Sequence, residues 1–109
     1  MKDFEKIILG IDIGTTATKG ILLDPSKGVI ASEEVPSALI SQKTGWAEED
    51  PNEWWKNVAK VTQKCLNQIG ASSKSIISIG VSGMVPTLIL LDGKGSVLRP
   101  SIQQNDARA

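Results

Sequence analysis

Residues 7–19 read Ile-Ile-Leu-Gly-Ile-Asp-Ile-Gly-Thr-Thr-Ala-Thr-Lys, and this stretch decides the fold. Ile7 to Ile13 is short, β-branched and apolar, and it ends at glycine, which is the pattern of a buried strand. Its two faces are unequal. Ile7, Leu9, Ile11 and Ile13 are bulky, whereas Ile8, Gly10, Asp12 and Gly14 lose bulk toward the end. A carboxylate at a strand end, flanked by glycines, leaves space for a ligand. Gly14-Thr15-Thr16 makes a tight connection, and Thr18 to Leu23 returns as a second strand.

The chemistry of that connection points to phosphate. Glycine lets the backbone approach a polyphosphate because no Cβ stands in the way. Successive N–H groups in a tight turn form an anion-binding concavity, and the two threonines add hydroxyl donors. Asp12 suits a hydrated magnesium ion, which keeps several waters and takes one or two carboxylates. Lys19 adds positive charge nearby. An ordinary hairpin also uses Asp, Gly and Thr. The eight-residue pattern from Asp12 to Lys19, directly behind an apolar strand, raises the phosphate reading above that one. Asp12, Gly14, Thr15, Thr16 and Lys19 are therefore the candidate phosphate-binding residues, and Asp12 is the candidate magnesium ligand.

Outward from this hairpin, Asp24 to Gly28 carries strong turn chemistry and Val29 to Val35 is a third strand. Three sequential strands with short turns predict an antiparallel meander. Asp50 is placed to cap a helix, Pro51 fits its first turn, and Glu53 stands at the capping-box position. The helix runs to about Ile69, with Trp54, Val58, Val61, Thr62, Cys65, Leu66 and Ile69 on one stripe, and Gly70 stops it. Ile76 to Ser82 is a fourth strand, and the intervening helix predicts a parallel crossover that sets it beside the first. A fifth strand is expected at Thr87 to Leu91 and a short sixth near Val97-Leu98. Ile21-Leu22-Leu23-Asp24 is echoed by Ile89-Leu90-Leu91-Asp92, as expected of two hairpins that reuse one turn chemistry. Asp24 and Asp92 are turn residues.

Composition removes several function classes. The 109 residues suit one domain, and 12 basic against 12 acidic residues give nothing that draws nucleic acid or an anionic membrane. There is no histidine, so Ser-His-Asp and Cys-His catalysis and His-ligated zinc are excluded. The single cysteine, Cys65, forms no internal disulfide and is expected as a buried structural residue. The N-terminal apolar run meets Asp12 too soon for a signal peptide or a membrane span, so a cytoplasmic location is expected. Glu48 and Glu49 are expected in a solvated loop ahead of the Asp50 cap. Of the adjacent Trp54 and Trp55, one is expected in the core and the other in an inter-domain contact. For Trp46, pocket and packing roles are both open.

Four segments, in order, resemble the FGGY carbohydrate kinases, and the xylulokinases among them. They are Gly10-Ile11-Asp12-Ile13-Gly14-Thr15-Thr16, Gly45 to Pro51 with Trp54-Trp55, Gly80-Val81-Ser82-Gly83-Met84, and Asn105-Asp106-Ala107-Arg108. The resemblance covers nearly the whole chain. It implies an α/β fold with the mixed sheet of the ribonuclease-H-like, actin-like ATPase type. It implies ATP and magnesium at the hairpin, and a sugar or polyol substrate, with Met84, Asp106 and Arg108 on the sugar side. It further implies that residues 1–109 are the N-terminal fragment of the first kinase domain. The catalytic base and the adenosine-binding half would then lie downstream, and the isolated chain would be inactive. Two departures bear on the sugar. Val85, followed by Pro86, stands where many xylulokinases have histidine after the methionine, and Gln104 stands where the family usually has tryptophan before the Asn-Asp pair. Two other readings stay open: a different actin-like ATPase, and a non-catalytic binding module. A severed apolar patch would also allow a homodimer.

Overall fold

The computed structural model describes residues 6–108. Strands β1 (Ile7–Ile13), β2 (Ala17–Asp24) and β3 (Gly28–Pro36) form the antiparallel meander. A two-residue strand β4 (Glu48–Glu49) precedes helix α1 (Pro51–Ile69), and β5 (Ile76–Gly83) then runs parallel to β1. The sheet order is β3-β2-β1-β5. A last short strand, β6 (Ser101–Ile102), pairs antiparallel with β4.

The helix forms where its caps dictate. Asp50 is extended, at φ −88° and ψ 111°, and its carboxylate accepts from Asn52 N at 3.0 Å. Gly70 closes the helix in the left-handed region at φ 66°. Glu53 does not complete a capping box. Its carboxylate instead accepts from Ala38 N at 2.8 Å and ties down the loop after β3.

The core lies between α1 and one face of the sheet. Ile7, Leu9 and Ile11 of β1, Leu22 of β2 and Ala31 of β3 meet Val61, Cys65 and Leu66. Close seating depends on Gly20, where an added Cβ would lie 3.1 Å from Val61 Cγ1. Trp54 is buried and Trp55 is 75% exposed, so the two tryptophans do divide between core and surface. Beside α1, the face of β5 that carries Ile79 and Val81 is bare. With Trp55, Val58 and Leu66 it lines an apolar groove of about 640 Å³.

Two expectations are corrected. The segments Thr87 to Leu91 and Val97-Leu98 are not strands. They carry single bridges, Leu91 to Val97 and Leu88 to Ile102, around a turn in which Asp92 Oδ1 accepts from Lys94 N and Ser96 N. Two glycines in that turn limit the pairing to these isolated bridges. The acidic pair is not solvated either. Glu48 and Glu49 are buried in the β4–β6 ladder, where arginine, tryptophan and glutamine side chains satisfy them. Asp50 is the cap expected of it.

Candidate functional site

The face of the sheet opposite α1 carries the predicted site. Alternation along β1 sends Ile7, Leu9 and Ile11 to the core, which turns Gly10 and Asp12 the other way. Register then assembles their neighbours. Gly10 stands between Ile21 and Gly80, and Asp12 between Lys19 and Ser82. These residues line an open cavity of about 410 Å³. Gly10 is required there, because an added Cβ would come within 2.9 Å of Ile21 Cγ1, whereas Gly80 opens onto free space.

Asp12 is exposed on the cavity wall, and Ser82 Oγ donates to its Oδ1 at 3.0 Å. The sequence marked Ser82 only as the end of the fourth strand and as part of the Gly80–Met84 segment. The signal that would have found it is the parallel pairing, which sets Ser82 opposite Asp12. The described residues contain no group of three or more His, Cys, Asp or Glu placed to hold a metal. A single exposed carboxylate on an open cavity, with Lys19 and Ser82 beside it, fits magnesium that retains most of its water, and does not fit a dehydrated, fully protein-ligated ion.

The hairpin itself is tightly closed. Gly14 N donates to Ala17 O at 2.9 Å, and Ser37 N donates to Thr16 O at 2.9 Å. Gly14 thus contributes close approach and not a free donor. The amides of Thr15 and Thr16 and the Thr16 hydroxyl remain as the donors of the turn. Thr15 Oγ1 also donates to Met84 Sδ at 3.6 Å, and Met84 N donates to Ile13 O at 3.2 Å. The structure therefore brings Asp12, the hairpin and Met84 together at the C-terminal ends of β1 and β5.

Asp106 and Arg108 belong to a second cluster. Asp106 Oδ2 accepts from Ala47 N at 2.7 Å and from the Arg108 guanidinium at 2.6 Å, and its Oδ1 accepts from Arg108 N at 2.9 Å. These charge-assisted bonds hold the Asp106 carboxyl well below the usual carboxylate range. Arg108 also donates to Glu48 Oε2 at 2.8 Å and lies 4.0 Å above the Trp46 ring. Arg99 pairs with the same Glu48 oxygen. Trp46 therefore serves as a platform for a guanidinium.

A buried relay joins the two clusters. Gln103, 3% exposed, lies on it, and so does Glu49, fully buried. Nothing in the sequence singled out Gln103, because one glutamine in a polar tail carries no periodic signal. Among the described residues, no helix is long and apolar enough to cross a membrane.

Comparison with known proteins gives one consistent result. Residues 7–109 match the N-terminal domain of the FGGY family of carbohydrate kinases. The chain is 35% identical over 104 residues to a xylulose kinase of Staphylococcus epidermidis, covering 95% of this chain and 21% of that one. A crystal structure of xylulose kinase from Rhodospirillum rubrum superposes with a TM-score of 0.84 at 43% identity, over 94% of this chain and 21% of that one. The glycerol kinase of Plasmodium falciparum, solved with ADP, superposes with a TM-score of 0.83 at 25% identity, over 98% of this chain and 22% of that one. The chain thus spans about a fifth of the length of the relatives it matches.

Proposed function

The chain belongs to the FGGY family of carbohydrate kinases and has their actin-like ATPase fold, and from that premise we propose that it is the N-terminal part of an enzyme that transfers the γ-phosphoryl group of ATP to a sugar or polyol hydroxyl. A xylulose-like pentulose is the favoured acceptor. The observation that carries this reading is the exposed Asp12 carboxylate on the wall of an open cavity, beside the Gly14–Thr16 hairpin and held by Ser82.

Each residue has a role in this reading. Asp12 holds the hydrated magnesium ion, which neutralises charge on the phosphates when bound. Gly14 keeps the turn close to the phosphate chain, Thr15 and Thr16 donate to it, and Lys19 adds a cation on the same face. Met84 stands where β5 ends, next to Thr15, and forms the boundary between the phosphate and sugar sides. Asp106 and Arg108 serve the sugar side. Their mutual bonds and the Trp46 platform hold the Arg108 guanidinium at a fixed place and orientation, as recognition of hydroxyls requires.

Phosphoryl transfer depends on positioning and charge stabilisation from both sides of a closed cleft. This chain supplies one side. A base that accepts the acceptor hydroxyl's proton, and the adenosine pocket, belong to the longer protein. The bare apolar groove beside α1 is assigned to contact with that remainder. The reading entails a cytoplasmic enzyme.

The test is sugar-dependent ADP release by the full-length protein over a panel of pentuloses and polyols, with and without Asp12→Ala. Turnover with at least one acceptor, abolished in the variant, is the expected result. Turnover unchanged by the substitution would remove Asp12 from the machinery. ATP hydrolysis indifferent to every acceptor would replace the kinase with a conformational ATPase.

A further inference from the structure

We infer that Gln103 is a positioning residue for Met84, and that Glu49 and Ser101 fix Gln103 in that role. The inference rests on the proposed reading, in which Met84 bounds the sugar side of the site.

The geometry is a closed chain of polar contacts in the protein interior. Glu49 is fully buried, and its two oxygens are both taken. Trp54 Nε1 donates to Oε1 at 2.9 Å, and Gln103 Nε2 donates to Oε2 at 3.2 Å. Ser101, also fully buried, donates from Oγ to Gln103 Oε1 at 2.5 Å and to Glu49 O at 3.1 Å. The Gln103 backbone is pinned as well, its N donating to Ala47 O at 2.9 Å. Gln103 is thereby held by Glu49 of β4 and Ser101 of β6, and Trp54 of α1 holds Glu49 in turn. Its remaining reach is toward the site, where Nε2 comes 2.8 Å from Met84 Sδ. The same sulfur accepts from Thr15 Oγ1 at 3.6 Å.

Methionine has three rotatable side-chain bonds and, left alone, fills space without specifying a shape. Here two donors converge on its sulfur, one from the buried relay and one from the phosphate hairpin. A flexible side chain is given one position, and that position is shared with Thr15. A substituent change at Gln103 would therefore alter the sugar-side wall without touching Asp12 or Lys19.

Two measurements test this. Met84 and Met1 are the only methionines in the chain, so the methyl-¹³C signal of Met84 is read directly in the 109-residue protein. Gln103→Leu keeps the volume and removes both polar ends. It is expected to shift and broaden the Met84 methyl signal. In the full-length protein it is expected to raise the acceptor KM by roughly 3- to 10-fold, the range of one lost hydrogen bond. The KM for ATP and kcat should stay within about twofold, whereas a merely structural defect would lower activity without separating the two substrates. Met84→Leu approaches the contact from the half-buried side and keeps the protein testable if Gln103→Leu does not fold. It should reproduce the acceptor effect, and the double variant should be no worse than either single one. A Met84 methyl signal unmoved by Gln103→Leu overturns the inference. So does an acceptor KM that stays put in both single variants. If the unsubstituted full-length protein shows no acceptor-dependent turnover, the kinase reading fails instead, and the methyl signal alone decides the contact.

Discussion

Ser82 Oγ donates to Asp12 Oδ1 at 3.0 Å across adjacent parallel strands. The bond uses one lone pair of the carboxylate and limits its rotation on the cavity wall. A magnesium ligand that must be oriented anew at each encounter binds more weakly. Ser82→Ala in the full-length protein should therefore raise the magnesium concentration for half-maximal turnover by roughly 3- to 10-fold. Ser82→Thr, which keeps the hydroxyl, should restore most of it. Titration of Mn²⁺ by calorimetry should show the same order of affinities without turnover. Equal metal affinity in all three proteins would show the bond to be incidental.

Arg108 ties Asp106 and Glu48 together, and both carboxylates are nearly inaccessible, with 3% and 4% of their side-chain surface exposed. Removing the guanidinium strands buried acceptors. Arg108→Ala should lower the urea unfolding midpoint measurably. Glu48 keeps Arg99, which limits the loss. Arg108→Lys should recover less than half, because an ammonium cannot bridge two carboxylates and stack on Trp46 at once. Full recovery by lysine would reduce the cluster to simple charge neutralisation.

Periodicity and chain direction set how much was legible in the sequence. Strand β1 and helix α1 were readable because apolar residues alternate or recur on one face, and because Asp50 and Gly70 mark the helix ends. Parallel pairing of β5 with β1 was readable from the helix between them. The phosphate hairpin was readable because its residues are contiguous. Glu48 and Glu49 were misread because their partners, Arg99, Gln103 and Arg108, lie about fifty residues on. A local window sees two acids before a cap and cannot see the cations. The expected strands at Thr87 to Leu91 and Val97-Leu98 were misread for a related reason. Their apolar pattern fits a hairpin, yet Leu88 bridges the distant Ile102 of β6, and only Leu91 bridges across the turn to Val97.

Glu49 should make stability depend on pH in one direction. Burial pushes its carboxyl above the ordinary 4.5, against the opposing effect of the Trp54 bond, and the charge of Glu53 pushes the same way. A folded-state value above the unfolded one means that the folded chain holds its proton longer. The stability contributed by that proton is complete below pH 4.5 and is lost as pH rises through the folded value. Asp24, Asp92 and Asp106 are all shifted downward, so their stabilising ionisation lies below the ordinary 3.8 and does not overlap this window. Glu49→Gln should therefore gain thermal stability relative to the unsubstituted chain as pH is raised from 4.5. A difference in Tm that stays constant with pH would mean that Glu49 is ionised normally in the folded state.

The two faces of α1 should respond differently to truncation. Leu22 is fully buried beneath the helix, so Leu22→Ala leaves a cavity and should cost about 2–5 kcal/mol wherever it is measured. Trp55 is 75% exposed and borders the bare groove beside Ile79 and Val81. In the 109-residue chain, Trp55→Ala removes few contacts and should change stability by no more than about 0.5 kcal/mol. If the groove is where the rest of the kinase packs, the same substitution in the full-length protein buries the loss. It should then cost several-fold more, toward the roughly 3–5 kcal/mol of a core tryptophan. Urea unfolding of both proteins, each with and without the substitution, measures the difference. Equal, small effects in the two would show that Trp55 stays in water in the complete enzyme, and that the apolar groove is not the seam between this segment and the remainder of the kinase.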